Sequence, residues 1–256
     1  IPYGDHAPYY FLHDNNGKNA MAAVAFDLLE HEPGARFFSR MSTAAYCERE
    51  LGHTGNYFSY LWGPLGVARA GGEALAAHLA EQRWFYDLAR RWDGGFVYQG
   101  GAAADDSYAG WDTTGAFLLT YALPLKKLWI TGKGTHPALA LSGTELTSVI
   151  EDGRGFDAWH LEDGYRPRKV PELLASLTSW SPTVRFRAAN ALALKHAEVV
   201  PRLVELLGSD DLSARYGACQ ALERMGKQAA PAVDALIAQL SEKDAWLQIR
   251  AAFALA

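Results

Sequence analysis

A short apolar motif occurs three times in the C-terminal third of this chain, and its spacing limits the folds that the chain can adopt. The copies read Ala-Ala-Asn-Ala-Leu, Ala-Cys-Gln-Ala-Leu and Ala-Ala-Phe-Ala-Leu, at residues 188–192, 218–222 and 251–255. They start 30 and 33 residues apart, a period typical of stacked helical hairpins. One hairpin cannot bury its apolar face alone, so neighbouring copies must stack into a solenoid.

Each copy is preceded by a second helical run that starts near Pro171, Pro201 or Pro231. A proline is tolerated in the first turn of a helix, because the N–H that it lacks has no helical partner there. Polar turns at residues 181–183 and 209–211 separate the paired helices. Their Ser and Asp side chains are predicted to cap the helix that follows.

Over about residues 168–256, with the last of three units cut short, the pattern resembles HEAT repeats of the short bacterial type. Such solenoids mostly present surfaces to partners, so the resemblance implies a protein partner for this part of the chain. The chain begins at Ile1 in a loop-like run and ends at Ala256 within an apolar helical pattern. We therefore expect it to be a piece of a longer protein.

Charge and aromatic content divide the chain into two modules. The net charge is −5, yet the residues before Arg166 include 12 basic and 20 acidic side chains, whereas those from Arg166 onward include 12 and 9. Seven of the eight histidines and six of the eight tryptophans also precede Arg166. We predict one helical module over residues 1–164 and a repeat module over residues 165–256.

The composition excludes several classes of protein. With 49% hydrophobic and 12% aromatic residues, the chain can bury enough apolar surface to fold. Its weak negative charge argues against a nucleic-acid partner, and no apolar run approaches the roughly 20 residues that a membrane span needs. The two cysteines, Cys47 and Cys219, lie too far apart to form a disulfide scaffold. No spacing matches a known metal or cofactor motif, so we predict neither.

The first module is also predicted to be helical, over residues 18–31, 35–50, 56–70, 73–92, 113–123 and 143–151. Little β-branched alternation is present, so we expect no sheet and an all-α fold class. Pro64 should kink the third helix. The first, third and fifth helices open with similar polar loops, which predicts inner and outer helices of a curved double layer.

Two further resemblances concern this module. The run Arg-Trp-Asp-Gly-Gly-Phe at residues 91–96, with the Gly-rich loop and small-residue helix that follow, is similar to the α/α-toroid superfamily of prenyltransferase β subunits and terpenoid cyclases. The stretch from residues 52–58 to residues 111–115 resembles an uncharacterised bacterial family that joins a toroid-like region to HEAT repeats, often with a PDZ-like domain upstream. These resemblances imply the C-terminal part of a toroid, no established activity and an extracytoplasmic location.

In a toroid, the polar loops that open the inner helices would meet at one end of the ring. Helix N-termini there offer N–H groups and positive dipole ends to anionic or polar ligands. The first loop contains His13, Asn16 and Asn19, which we predict to face a ligand. The alternative is turn and cap chemistry, which the same residue types supply.

The second loop, residues 52–57, contains a pair suited to proton transfer. His53 would act as general base and Tyr57 as general acid, as in the polysaccharide lyases that cleave by β-elimination on helical toroids. Asn56 is a candidate ligand-binding residue. The alternative is a plain helix entry capped by Thr54 or Asn56, with the histidine held by a backbone carbonyl.

The third loop carries carboxylates and aromatic rings. Adjacent carboxylates rarely face one site, so Asp106 with Asp112 is a better acid–base pair for a glycosidic bond than Asp106 with Asp105. Tyr108 and Trp111 could stack on a sugar ring, although packing between helices also explains most aromatic residues of this module.

Two function classes follow from these observations. The first is a binding or scaffold protein, in which the repeats hold a protein partner and the toroid-like module is a ligand-binding or structural platform. The second is a carbohydrate-active enzyme, either a polysaccharide lyase or a glycoside hydrolase, with a glycan or other small ligand at the loops of the inner helices. The first is favoured, because no motif specifies a reaction and the repeats are the clearest feature.

Overall fold

The structure, a computed structural model, describes residues 12–45, 56–100, 108–134, 139–154, 164–194 and 197–256. These residues form two compact units, which we call the N-terminal unit (residues 12–154) and the repeat unit (residues 164–256). In the described ranges both consist of α-helices and short 3₁₀ segments, with two isolated antiparallel bridges in place of strands. The all-α prediction is therefore confirmed. No helix in these ranges is both long and apolar enough to cross a membrane.

The described part of the N-terminal unit contains six α-helices, which correspond to the six predicted runs. They are α1 (Lys18–Leu28), α2 (Glu32–Ala44), α3 (Tyr57–Val67), α4 (Gly72–Ala89), α5 (Thr114–Ala122) and α6 (Gly143–Arg154). Helix α1 packs against α2 and α3, and α3 packs against α4 and α5. This arrangement brings the starts of α1, α3 and α5 into neighbouring positions.

The junction of α1 and α2 differs from the prediction. Helix α1 ends at Leu28, because Glu30 takes the left-handed backbone conformation with a φ of 55°. His31 then starts α2 as its cap, and its Nδ1 accepts the backbone N–H of Gly34 at 3.1 Å. The predicted extension of the first helix to residue 31 is wrong, because His31 serves the next helix.

Pro64 lies inside α3, and the helix continues through it. Proline has no N–H, so the carbonyl of Tyr60 loses its partner in the helix. The hydroxyl of Tyr86 in α4 donates to that carbonyl at 2.7 Å, and the ring of Phe85 stacks on Tyr60 at 3.6 Å. The acceptor left by the proline therefore joins α3 to α4.

An aromatic core fills the space between α3, α4 and α5. Its buried members are Tyr60, Phe85, Tyr86, Ala89, Phe96, Tyr98 and Phe117. Phe117 is 0% exposed and meets Phe85, Tyr86 and Phe96 edge-on, with ring centroids 5.6, 5.5 and 6.2 Å away. Edge-to-face pairs of this kind stabilise a core beyond the area that they bury.

The repeat unit consists of three helical hairpins. The first helices of the pairs are α7 (Val170–Ser176), α9 (Val200–Leu207) and α11 (Val233–Gln239), and the second are α8 (Pro182–Ala193), α10 (Leu212–Met225) and α12 (Ala245–Leu255). Helix α10 packs between α8 and α12, and one continuous apolar core joins all three hairpins. The approach is close: a Cβ at Gly217 of α10 would overlap the carbonyl oxygen of Leu177.

The caps of the second helices follow the repeat. Ser181 accepts the N–H of Val184 at 3.3 Å, and Asp211 accepts the N–H of Ser213 at 2.9 Å. These contacts confirm the two predicted caps. In the third hairpin, Asp244 caps α12 in the same way.

The third hairpin corrects one prediction. Pro171 and Pro201 lie in the first turns of α7 and α9, as predicted. Pro231 lies instead inside a 3₁₀ segment, Gly226–Ala232, and α11 begins after it. The buried Leu236 takes the place of Leu203 at a spacing of 33 residues, so the apolar side chains rather than the proline set the position of the helix.

Candidate ligand-binding site

Three half-exposed rings form an aromatic rim, which we define as Tyr57, Tyr108 and Trp111. Tyr57 is the first residue of α3, and its ring lies parallel to that of Tyr108 at a centroid distance of 5.9 Å. Tyr108 meets Trp111 edge-on at 4.2 Å. Trp111 remains 53% exposed, so the rim presents aromatic surface to solvent.

A short ribbon of backbone hydrogen bonds holds the aromatic rim in position. The N–H of Tyr98 donates to the carbonyl of Trp111 at 2.9 Å, and the N–H of Gly110 donates to the carbonyl of Tyr98 at 2.8 Å. The N–H of Thr113 donates to the carbonyl of Phe96 at 3.0 Å. These bonds hold the segment before α5 against the segment after α4, and they fix the position of Trp111.

Asn56 supports the rim from beneath. It is buried, its backbone N–H donates to the hydroxyl oxygen of Tyr98 at 3.2 Å, and its side-chain oxygen accepts the Tyr98 hydroxyl at 3.1 Å. Its side chain makes no capping bond to α3. Asn56 therefore positions Tyr57 through the backbone, and Tyr98, which was not predicted as a site residue, completes this support.

The hydroxyl of Tyr57 is partly buried. Burial raises its pKa, and the neighbouring Tyr108 raises it further. A tyrosine hydroxyl is protonated at neutral pH in any case, and the raised pKa makes it a weaker acid, so the role of general acid stays a prediction. Its predicted partner, His53, lies outside the described residues, and so does Asp106.

Asp112 supports the start of α5 from the position before the N-cap residue, Thr113. Its carboxylate accepts the backbone N–H of Thr114 at 2.9 Å, at the start of α5. That bond, followed by the hydroxyl of Thr114, lowers the pKa of the Asp112 carboxyl. A lowered pKa makes this carboxyl a poorer general acid and also a weaker base, so it favours neither of the two predicted roles, and both stay predictions.

We expect the contribution of Asp112 to stability to depend on pH. The pKa of the folded state lies below that of the unfolded chain, so the stabilisation is complete above about pH 4 and disappears as the pH falls through the folded value. Urea unfolding of the wild type and Asp112→Ala should differ more at about pH 7 than at about pH 3. An equal difference at both pH values would contradict the cap. Asp112→Asn, which has an acceptor that does not titrate, is the control.

The loop before α1 is occupied by internal hydrogen bonds. Asp14 accepts the backbone N–H groups of Asn19 and Ala20 at 3.0 and 3.3 Å, and Asn19 donates from its side chain to the carbonyl of His13 at 2.6 Å. His13 and Asn19 are buried, whereas Asn16 is half-buried with a φ of 58°. The pattern fits the cap alternative, since the carboxylate already occupies the N-terminus where an anion would bind.

The structure brings together the starts of α1, α3 and α5, the helices that follow the three predicted loops. Gly17 lies so close to Phe58 that a Cβ there would overlap its carbonyl oxygen, and Phe58 lies 6.4 Å from the ring of Tyr108. The loops before α1 and α5 thus flank the start of α3. Within the described ranges no three His, Cys, Asp or Glu side chains are grouped to hold a metal ion.

Fold and site together define an all-α protein in which a helical unit with an exposed aromatic rim precedes stacked hairpins. Residues 1–132 match the family described as a domain of unknown function, DUF6288, and the chain belongs to this family. Residues 170–256 match HEAT repeats, which confirms the HEAT resemblance and suggests a role in protein–protein interaction or as a scaffold. No curated protein and no solved structure matches the chain significantly. The toroid and the bacterial family stay predictions.

Proposed function

We propose that this protein binds a protein partner through its HEAT repeats and that its N-terminal unit is a ligand-binding or structural platform. The observation that supports this proposal is a groove between α7 and α9. Its volume is about 430 Å³, and it is lined by Pro171, Leu174, Ala175, Thr178, Arg202, Glu205 and Leu206. The groove lies wholly within the repeat unit, so it belongs to the solenoid itself.

The chemistry of the groove favours an apolar segment of a partner. Leu174 and Leu206 are half-buried and pack on the core of the repeat unit, so they form a firm apolar floor. Arg202 and Glu205 form an ion pair at the rim, which leaves the lining without net charge. A surface of this kind suits the apolar face of an amphipathic helix.

Helix length and charge specify the partner further. Helices α7 and α9 contain seven and eight residues, so the groove is about 10–12 Å long and accommodates about two turns of a helix. From Arg166 onward the chain has 12 basic and 9 acidic side chains, which favours a partner with acidic flanks. We therefore propose an amphipathic helix with apolar anchors at i and i+3 or i+4.

A matched pair of variants tests this proposal. Ala175→Arg places a long side chain in the groove, whereas Ala238→Arg makes the same change two residues after the equivalent buried leucine of the third hairpin. Both alanines are exposed, so neither change should disturb the core. Partners captured with the full chain would be purified, and their affinity for the wild type and both variants measured by calorimetry.

We expect Ala175→Arg to weaken the binding of the partner by about tenfold or more, since blocking an anchor pocket costs at least about 1.4 kcal/mol of binding free energy. Ala238→Arg should bind as the wild type does. Equal binding by both variants, or no partner with an affinity of its own when purified, would contradict the proposal. The enzyme hypothesis stays a prediction, because His53 and Asp106 lie outside the described residues.

A further inference from the structure

A second cleft in the N-terminal unit lies apart from the aromatic rim, at the end of α1. It has a volume of about 490 Å³ and is lined by Asp27, Leu28, Glu30, Trp129, Lys133 and Gly134. This volume is within the range of small-molecule sites in proteins. None of these residues belongs to the candidate site or to the groove of the repeat unit.

Trp129 provides an aromatic platform in this cleft. Its side chain is 61% exposed, yet the chain turns back beneath it. Gly134 has a φ of 83°, and a Cβ at this position would lie 3.0 Å from Cζ3 of the indole. Glycine favours this approach, because another residue would be strained at this φ and its Cβ would press on the ring. The backbone thus supports one side of the ring while most of the residue stays accessible.

One buried side chain holds the two walls of the cleft. Arg69 is 0% exposed, and its guanidinium donates to the carbonyls of Trp129 and Ile130 at 2.8 and 2.7 Å. It also donates to the carboxylate of Asp27 at 3.1 Å. The wall formed by α1 and the wall formed by Trp129 are therefore fixed relative to each other before any ligand arrives, which favours binding.

Among the described residues, the charges that line the cleft and the buried Arg69 behind it balance. Asp27 and Glu30 contribute two negative charges, Lys133 contributes a positive charge, and Arg69 behind Asp27 contributes the other. The ammonium of Lys133 lies 5.3 Å from the centre of the Trp129 ring. A site without net charge does not select an anion or a cation. It offers carboxylate acceptors, an ammonium donor and an aromatic face.

We infer that this cleft is a binding site for a neutral saccharide. The C–H face of a sugar ring stacks on an exposed indole, and its hydroxyl groups donate to carboxylates and accept from an ammonium group. The carboxylates of Asp27 and Glu30 accept hydrogen bonds from hydroxyl groups, Lys133 donates to a hydroxyl or ring oxygen, and the sugar ring stacks on Trp129. This inference does not rest on the proposed partner of the HEAT repeats.

Calorimetry with the full chain tests the inference. The probes are hexasaccharides of β-1,4-linked glucose, α-1,4-linked glucose, β-1,4-linked xylose and β-1,4-linked N-acetylglucosamine, together with a tetralysine peptide. At least one hexasaccharide should bind, and Trp129→Ala should weaken it by about tenfold or more, as expected when a stacking surface is lost. Trp92→Ala is the matched control, because Trp92 is 96% exposed and lies elsewhere in the same unit.

The other outcomes overturn the inference. Binding of no hexasaccharide, or binding that Trp129→Ala leaves unchanged, removes the site. Loss of saccharide binding in Trp111→Ala but not in Trp129→Ala moves it to the aromatic rim. Tetralysine binding that depends on Trp129, without saccharide binding, assigns the cleft to a basic peptide. Folding of each variant is checked by circular dichroism. Glu30→Gln, a change at an exposed residue, is a second test by calorimetry of whether the saccharide binds in this cleft.

Discussion

Replacing Arg69 by alanine is expected to destabilise the N-terminal unit by about 3–5 kcal/mol, the cost of removing one partner of a buried ion pair. Burial lowers the pKa of Arg69, and Asp27 opposes this effect. The guanidinium stays charged, so a buried charge here needs its partners. Without Arg69, the carboxylate of Asp27 and the carbonyls of Trp129 and Ile130 lose their donor. Urea unfolding, followed by amide hydrogen exchange in peptides from α1 and α3, measures the loss.

An exposed arginine of the same unit is the control for this prediction. Arg83 pairs with Asp87 one turn away on α4, and such a pair contributes only about 0.3–0.5 kcal/mol. A loss below about 1 kcal/mol in Arg69→Ala would show that the buried pair is not a major source of stability. The double change Arg69→Met with Asp27→Leu should recover part of the loss, because it removes both charges together.

Replacing Phe117 by alanine is expected to cost about 3–5 kcal/mol of unfolding free energy, since a large buried ring is lost from the centre of the aromatic core. Phe117 is 0% exposed, and its centroid lies 6.2 Å from that of Tyr57, so the aromatic rim should lose its order as well. Urea unfolding measures the first effect, and near-ultraviolet circular dichroism of the folded protein measures the second.

The neighbouring residue gives a matched comparison. Leu118 follows Phe117 on α5 but is 47% exposed, so Leu118→Ala should change stability by no more than about 0.5 kcal/mol. Similar losses in the two variants would contradict the assignment of Phe117 to the centre of the core. An unchanged aromatic dichroism in Phe117→Ala would show that the rim is held by its backbone ribbon alone.

Features that depend on neighbouring residues were predictable from the sequence. The three hairpins follow from the recurring apolar motif, and the caps at Ser181 and Asp211 follow from residue type and position. The six helices of the N-terminal unit were also placed correctly in outline. Their signals are local, because side chains three and four residues apart share one helix face.

Predictions about single residues failed where distant contacts decided the outcome. Pro231 has the residue type of a helix start, yet the core places Leu236 and so moves the helix past it. The hydrogen bond from the N–H of Thr114 to Asp112 was not predicted either, although Asp two residues before Thr is typical of such a turn. The catalytic role of Asp112 stays a prediction.

The most informative residue of the N-terminal unit carries no sequence signal. Arg69 resembles an ordinary charge at the end of a helix, but it bonds Asp27, 42 residues earlier, and Trp129, 60 residues later. Trp129 is likewise one of eight tryptophans, and nothing in the sequence distinguishes it from the others. Two nearby glycines, Gly132 and Gly134, both with positive φ, are the only hint that the chain turns there.

The sequence by itself determined the helical class, the repeat period and the caps of the second helices in the first two hairpins, because these depend on side chains within a few residues of one another. Only the tertiary structure decided which polar groups are buried as supports and which rings remain open to a ligand. Asn56 and Tyr98 form a hydrogen bond although they are 42 residues apart in the chain, and Arg69 and Asp27 are separated by the same number of residues. Such contacts depend on how the helices pack, and packing is a property of the whole unit rather than of any segment.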